Sequence, residues 1–167
     1  MRDRNAGALR RAAMRSALPI PAGPTRVQGW FFGWKRHGRT RVAIRGIGVD
    51  VVKVDRISES LERFGARMEN RLFTAGELEY CRRHKDPLPH LAARFAAKEA
   101  LFKAIGTGLS GGVGWKQAEV LQPGGHQPKL QLSGAALDRF RALGCTASHL
   151  TIAHDGGLAI ACVVIEG

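Results

Sequence analysis

The stretch from His90 to Ile105 restricts the possible fold more than any other part of the chain. It is rich in alanine and leucine, both strong helix formers, and carries neither glycine nor proline. Pro87 and Pro89 break the chain just before it and pre-set a first turn, and Gly106 follows its end. A helix that is apolar almost all round belongs inside a fold, so other elements must cover it on more than one side. Four charged residues nevertheless interrupt it: Arg94, Lys98, Glu99 and Lys103. At about 100° per residue, Glu99 and Lys103 lie one above the other, as do Arg94 and Lys98. This spacing reads in two ways. It is either a solvated face stitched by i,i+4 pairs, or a buried set in which the acid holds Mg²⁺ and the bases hold phosphate oxygens.

The remaining elements supply the cover. Order begins near Val42, and Gly46-Ile47-Gly48-Val49-Asp50-Val51-Val52 reads as a strand interrupted by one acid. Asp55 fits the N-cap of a helix to about Arg67, with Ile57, Leu61 and Phe64 on one face. Thr74-Ala75-Gly76-Glu77 has the capping-box pattern and predicts a second helix through Arg82. Beyond the alanine-rich helix, strands near Trp115–Leu121 and Lys129–Leu132 flank a turn at Pro123-Gly124-Gly125. Ser133 is placed to cap a fourth helix that stops at Gly144. The final strands, His149–Ala153 and Leu158–Ile165, flank Asp155-Gly156-Gly157 as a hairpin. This order of elements predicts an α+β fold, an antiparallel sheet packed with helices.

Charge divides the chain. The net charge of +12 by itself suggests a nucleic-acid or membrane-surface partner. Residues 1–46, however, hold 11 Lys and Arg against the single acid Asp3, whereas residues 47–167 hold 15 against 13. The basicity therefore belongs to an N-terminal extension, residues 1–41, ahead of a near-neutral domain at 42–167. The extension is arginine-rich and carries Pro19, Pro21 and Pro24. It reads as a transit-like targeting segment, as a basic disordered arm, or as residues upstream of the true start. Disorder is favoured, because few apolar residues offset the entropy of ordering it; the Trp30–Trp34 cluster is the exception. No run of about 18 apolar residues occurs to cross a membrane. Cys81, Cys145 and Cys162 are odd in number and form no CxxC pair, which argues against disulfides and zinc and for a reducing, cytoplasmic setting.

Three further features bear on chemistry. Asp50 stands in an apolar strand, where a carboxylate needs a cation or donors nearby; a cap on a local turn is the alternative. Gly106-Thr107-Gly108 opens a glycine-dense loop whose backbone N–H groups can approach an anion, although GxxxxGK[ST] is absent and the loop follows a helix. His154 sits where a strand enters a turn, and the other histidines show no metal-ligand spacing.

Together these motifs resemble the holo-acyl-carrier-protein synthases, the stand-alone 4′-phosphopantetheinyl transferases. Gly46–Val52 with Arg56-Ile57 resembles their opening strand, and Arg71-Leu72-Phe73-Thr74 with Glu77 their second-helix signature. Ala93-Arg94-Phe95-Ala96-Ala97-Lys98-Glu99-Ala100-Leu101-Phe102-Lys103-Ala104-Ile105-Gly106-Thr107-Gly108 is similar to their hallmark almost letter for letter. Leu150–Asp155 with Ala159-Ile160-Ala161 is similar to their closing hairpin. The resemblance runs from Ile44 to the C-terminus with the motifs in the family's order. Lys53 departs from it, standing where the family usually has an acid, and the basic extension lies outside it.

The resemblance implies transfer of the 4′-phosphopantetheine arm of coenzyme A to a serine of apo acyl carrier protein, serving fatty acid biosynthesis. It implies that Asp50 and Glu99 ligate Mg²⁺, with Mn²⁺ an alternative. It implies that Lys103, Arg94, Gly106, Thr107, Gly108 and His154 contact the coenzyme A phosphates. A homotrimer with interfacial active sites is implied, the carrier docking on the first helix where Arg56, Arg63 and Arg67 face it. Glu99, directly or through a metal-held water, then accepts the serine proton, and Lys103 stabilises the departing 3′,5′-ADP. One rival is a basic nucleic-acid-binding protein that uses its N-terminal arm. Deleting residues 1–40 separates the two, because it abolishes such binding and spares a transferase. The other rival is a non-catalytic coenzyme A binder, which has no need of the Asp50, Glu99 and Lys103 set.

Overall fold

The computed structural model describes residues 42–122, 124 and 127–167. The expectations for residues 1–41, the Trp30–Trp34 cluster included, lie outside the described residues, as do Pro123 and Gly125 of the expected turn. The elements run β1 (Ile44–Lys53), α1 (Val54–Leu72), α2 (Ala75–Arg82), α3 (Leu88–Ala104), a 3₁₀ turn (Trp115–Gln117), β2 (Ala118–Leu121), β3 (Lys129–Leu132), α4 (Gly134–Ala142), β4 (Ala147–Asp155) and β5 (Leu158–Glu166). β1, β5 and β4 form an antiparallel sheet in that order, and β2 and β3 form a separate hairpin. The α+β fold expected from the sequence is the one observed.

The alanine-rich helix α3 is the centre of the core. Ala92, Ala96, Ala97, Ala100, Leu101 and Phe102 are fully buried, against Ala159, Ala161, Val163 and Ile165 of β5 among others. Small side chains allow an unusually close approach of strand to helix. A Cβ on Gly48 would stand 1.8 Å from the Ala100 carbonyl oxygen, and one on Gly46 would stand 2.2 Å from that of Ala104. The alternation of β1 follows from this: Gly48 and Val52 are buried toward α3, while Ile47, Val49 and Val51 face away. Gly48→Ala therefore forces backbone apart from backbone, and a loss of about 3 kcal/mol, the upper end for overpacking, is expected in urea unfolding. An unchanged midpoint would contradict this packing.

The chain ends of the helices differ from the sequence reading in three places. α1 begins at Val54 with Lys53 in the cap position, so Asp55 lies in the first turn, where its charge suits the helix dipole, and is not the N-cap. α1 also continues to Leu72 through a break at Gly65 (φ 53°, ψ −140°), a conformation open to glycine. Phe64, just before the break, is exposed and does not join Ile57 and Leu61 on the core side. Ser133 occupies the N-cap position of α4 without a side-chain cap; Gln117 Oε1 accepts from Ala136 N–H at 3.1 Å. Trp115–Gln117 is a 3₁₀ turn, and the strand starts only at Ala118. The closing hairpin turns on Gly156 and Gly157, both at positive φ as a two-residue turn requires.

Candidate functional site

The close approach of β1 to α3 sets Asp50 beside the helix. Asp50 Oδ1 accepts from Lys103 Nζ at 2.8 Å, and the same ammonium donates to the Val49 carbonyl oxygen at 2.9 Å. Glu99, one turn earlier on α3, is half-buried. Its carboxyl is pushed above the usual range, first by desolvation and then by the Asp50 charge, with Lys103 and Arg56 pulling the other way. Two carboxylates that repel each other beside a single lysine form a site poised for a further cation. Oxygen donors suit a hard divalent ion, and among the described residues no group of three His, Cys, Asp or Glu side chains is placed to hold a metal by itself. A magnesium ion fits such a pair, because it is commonly held by one or two carboxylates plus phosphate oxygens and water.

The four charges of α3 do not act as one ensemble. Five residues of helix turn Arg94 by about 140° from Glu99, so the two pairs look in different directions. Lys98 is fully buried against α2: Nζ contacts Glu77 Oε2 at 2.8 Å and donates to the carbonyl oxygens of Trp115 and Ala118 at 3.0 and 2.7 Å. Glu77 in turn accepts from Val120 N–H at 2.9 Å and completes the capping box with Thr74. All three ammonium protons are used, so Lys98 is a structural cation, not a phosphate ligand. The partner Glu77, 21 positions away, has no signal in the sequence beyond its capping role.

Arg94 is buried too. Its guanidinium lies 4.0 Å over the Tyr80 ring, Nη1 donates to the His90 carbonyl oxygen at 3.3 Å, and Nε and Nη2 have no partner among the described residues. His154, near the end of β4, is exposed and meets the His90 ring edge-on, with centroids 5.0 Å apart. Arg94 and His154 therefore belong to a cluster with Tyr80 and His90, apart from the Asp50–Lys103 contact. Neither Tyr80 nor His90 was singled out from the sequence.

The glycine loop has its backbone donors committed. Gly106 N–H donates to the Lys103 carbonyl, and the N–H groups of Thr107 and Gly108 both donate to that of Phe102. Gly106 and Gly108 stand at φ 72° and 55°, so the glycines close the helix end. The expected amide cradle is therefore occupied by the helix's own carbonyls.

The comparisons with known proteins point to one family. Residues 46–163 match the model of the 4′-phosphopantetheinyl transferase superfamily. The chain is 46% identical over 123 residues to a holo-acyl-carrier-protein synthase of Trichlorobacter lovleyi, covering 74% of this chain and 98% of the relative. It is 42% identical over the same length to the synthase of Koribacter versatilis. The crystal structure of the Neisseria meningitidis synthase superposes with a TM-score of 0.68 at 32% identity, covering 75% of this chain and all of that one. The Helicobacter pylori synthase, in complex with coenzyme A, gives 0.63 at 28% identity, covering 71% of this chain and 98% of that one. The chain belongs to the holo-acyl-carrier-protein synthases of the 4′-phosphopantetheinyl transferase superfamily.

Proposed function

We propose that residues 42–167 form a magnesium-dependent transferase domain that moves the 4′-phosphopantetheine arm of coenzyme A onto a serine of apo acyl carrier protein in fatty acid biosynthesis. The observation that carries the chemistry is the pairing of Asp50 and Glu99 across the β1–α3 contact with Lys103 alongside. In the reaction the serine oxygen forms a bond to the β-phosphorus while the bond from that phosphorus to the oxygen of 3′,5′-ADP breaks. Glu99, directly or through a water, accepts the serine proton. Lys103, on a half-exposed side chain beside the glycine loop, stabilises the charge on the departing 3′,5′-ADP. Asp50 and Glu99 would hold Mg²⁺, with Mn²⁺ a permitted substitute, and the ion would neutralise charge on the diphosphate when bound. Because little covalent work falls to the protein, most of the rate comes from positioning and charge.

The carrier docks along α1. A groove of about 550 Å³ runs beside its second half, lined by Phe64, Arg67, Met68, Arg71 and Leu109 among others. Exposed apolar side chains framed by arginines suit an acidic, amphipathic partner. Arg63, over the Phe64 ring at 5.0 Å, adds to that charge, whereas Arg56 also reaches the field of Glu99. The decisive experiment is mass spectrometry of apo carrier protein after incubation with the chain, coenzyme A and Mg²⁺. A gain of about 340 Da, the mass of the transferred arm, is expected; no gain would overturn the transferase reading.

A homotrimer with interfacial active sites accounts for the outer face of the sheet. Ile47, Val49, Val51, Leu158 and Ile160 are all exposed there, on the side away from α3. Such a contiguous apolar face marks an interface. Sedimentation equilibrium should give three copies for the native chain and one for Val51→Lys. A native monomer would remove the trimer. No helix among the described residues is long and apolar enough to cross a membrane.

A further inference from the structure

The apolar stripe of α1 has one member out of place. Ile57, Leu61, Phe64, Met68 and Leu72 recur at helical spacing, so an unbroken helix would carry all of them on one face. Ile57 and Leu72 are buried, and Leu61 and Met68 pack against the core. Phe64 alone is turned out, 52% exposed. The break at Gly65 (φ 53°, ψ −140°) separates it from Met68 and Leu72.

Gly65 answers to backbone conformation and not to crowding. A Cβ built on it would meet no heavy atom within 4 Å, in contrast to Gly48, where a Cβ collides with the Ala100 carbonyl oxygen. The dihedral pair is what calls for glycine, since positive φ with a nearly extended ψ is costly for any residue that carries a Cβ. Inside a helix, glycine also costs stability relative to alanine. An interruption that lowers helix stability, and that close packing at Gly65 does not demand, points to a task elsewhere.

That task lies in the groove beside α1. Phe64 lines it together with Arg67, Met68, Arg71 and Leu109. The Arg63 guanidinium lies 5.0 Å over the Phe64 ring, a cation–π contact that fixes an otherwise exposed aromatic. Leu109, itself 49% exposed, belongs to the loop that follows α3, so the groove joins α1 to that loop.

We propose that Gly65 is a positioning residue for carrier recognition: its break turns Phe64 away from the core and displays it, under Arg63, as the apolar anchor of the groove. The inference rests on the reading of this groove as the carrier's dock and adds the device that forms its anchor. An aromatic side chain beside arginines has the composition of an interface hot spot, and acidic groups of the carrier would meet Arg67 and Arg71 around it. Coenzyme A binding is left alone, because Asp50, Glu99 and Lys103 lie on β1 and α3.

Steady-state transfer by the whole chain, with apo acyl carrier protein and coenzyme A varied in turn, tests this. Gly65→Ala favours a continuous helix and should raise KM for the carrier about tenfold or more, as loss of a hot spot does. KM for coenzyme A and kcat should stay within about twofold, the split expected when only carrier binding is lost. Phe64→Ala should do the same with the backbone unchanged, and Phe64→Leu should recover most of the loss. Placed together, Gly65→Ala and Phe64→Ala should not add, since the glycine acts through the ring. A carrier KM unmoved by either single variant, or a further rise in the double variant, would overturn the anchor and leave the transferase reading standing. An equal rise in KM for coenzyme A would overturn it too. A Gly65→Ala chain that fails to fold by circular dichroism would make the break a requirement of the core and end its role in display. A native chain that leaves the carrier unmodified would sink the transferase reading and the anchor together.

Discussion

Glu99→Gln should lower the transfer rate by at least about a thousandfold while leaving the fold intact, because it removes both a proton acceptor and one of two charges for the metal. The effect on stability has the opposite sign to what loss of a structural ion pair would give. Glu99 is desolvated and repelled by Asp50, so its ionised form is held in the folded state at a cost. A neutral amide of the same shape relieves that cost, and the thermal midpoint should stay or rise. Activity by carrier-protein mass spectrometry, stability by circular dichroism and Mn²⁺ binding by electron paramagnetic resonance separate the possibilities. Near-native turnover in the variant would remove Glu99 from the reaction, and undiminished Mn²⁺ binding would remove it from the metal.

Lys98→Met should produce the largest loss of stability of any conservative change in α3. Lys98 and Glu77 are both fully buried, and their mutual contact is supported by the carbonyls of Trp115 and Ala118 and by Val120 N–H. Removing one partner leaves a buried carboxylate uncompensated, at a cost of about 3–5 kcal/mol. For a domain that is marginally stable, this is a large share of the total. The midpoint in denaturant should fall accordingly, and Glu77→Gln placed in the same chain should recover at least about 1 kcal/mol, the sign of coupling between neighbours. Equal midpoints for Lys98→Met and the native chain would show that the pair contributes nothing. Binding of coenzyme A by whatever fraction remains folded should be unaffected, because neither residue faces the Asp50 site.

The sequence carried the element types well because their signals are local. Thr74 and Glu77 are three residues apart, and their capping box formed where the pattern placed it. The paired glycines at 156 and 157 dictated a two-residue turn, and β4 and β5 flank it. Helix ends were less legible where a distant group did the capping, as Gln117 does for α4 in place of Ser133. The four charges of α3 were the instructive case. Spacing by i,i+4 put Lys103 within the field of Glu99, but Lys103 bonds Asp50, Lys98 bonds Glu77 and Arg94 lies over Tyr80. Treating the four as one set also ignored the rotation between the pairs. That rotation was computable from the sequence; Glu77 as the partner of Lys98 was not.

By itself, then, the sequence determined most helices and strands, the gathering of basic residues in the first 46 positions, and the candidate acids at 50 and 99. These follow from periodicity, capping and charge, which act over a few residues. Tertiary structure decided which charges became structural and which stayed available for chemistry. It set Asp50 against Lys103, locked Lys98 onto Glu77, enclosed Arg94 behind Tyr80 and gathered His90 and His154. The physical reason is that desolvation and ion pairing depend on distances between segments far apart in the chain. Those distances exist only once Gly46 and Gly48 let β1 settle on the backbone of α3.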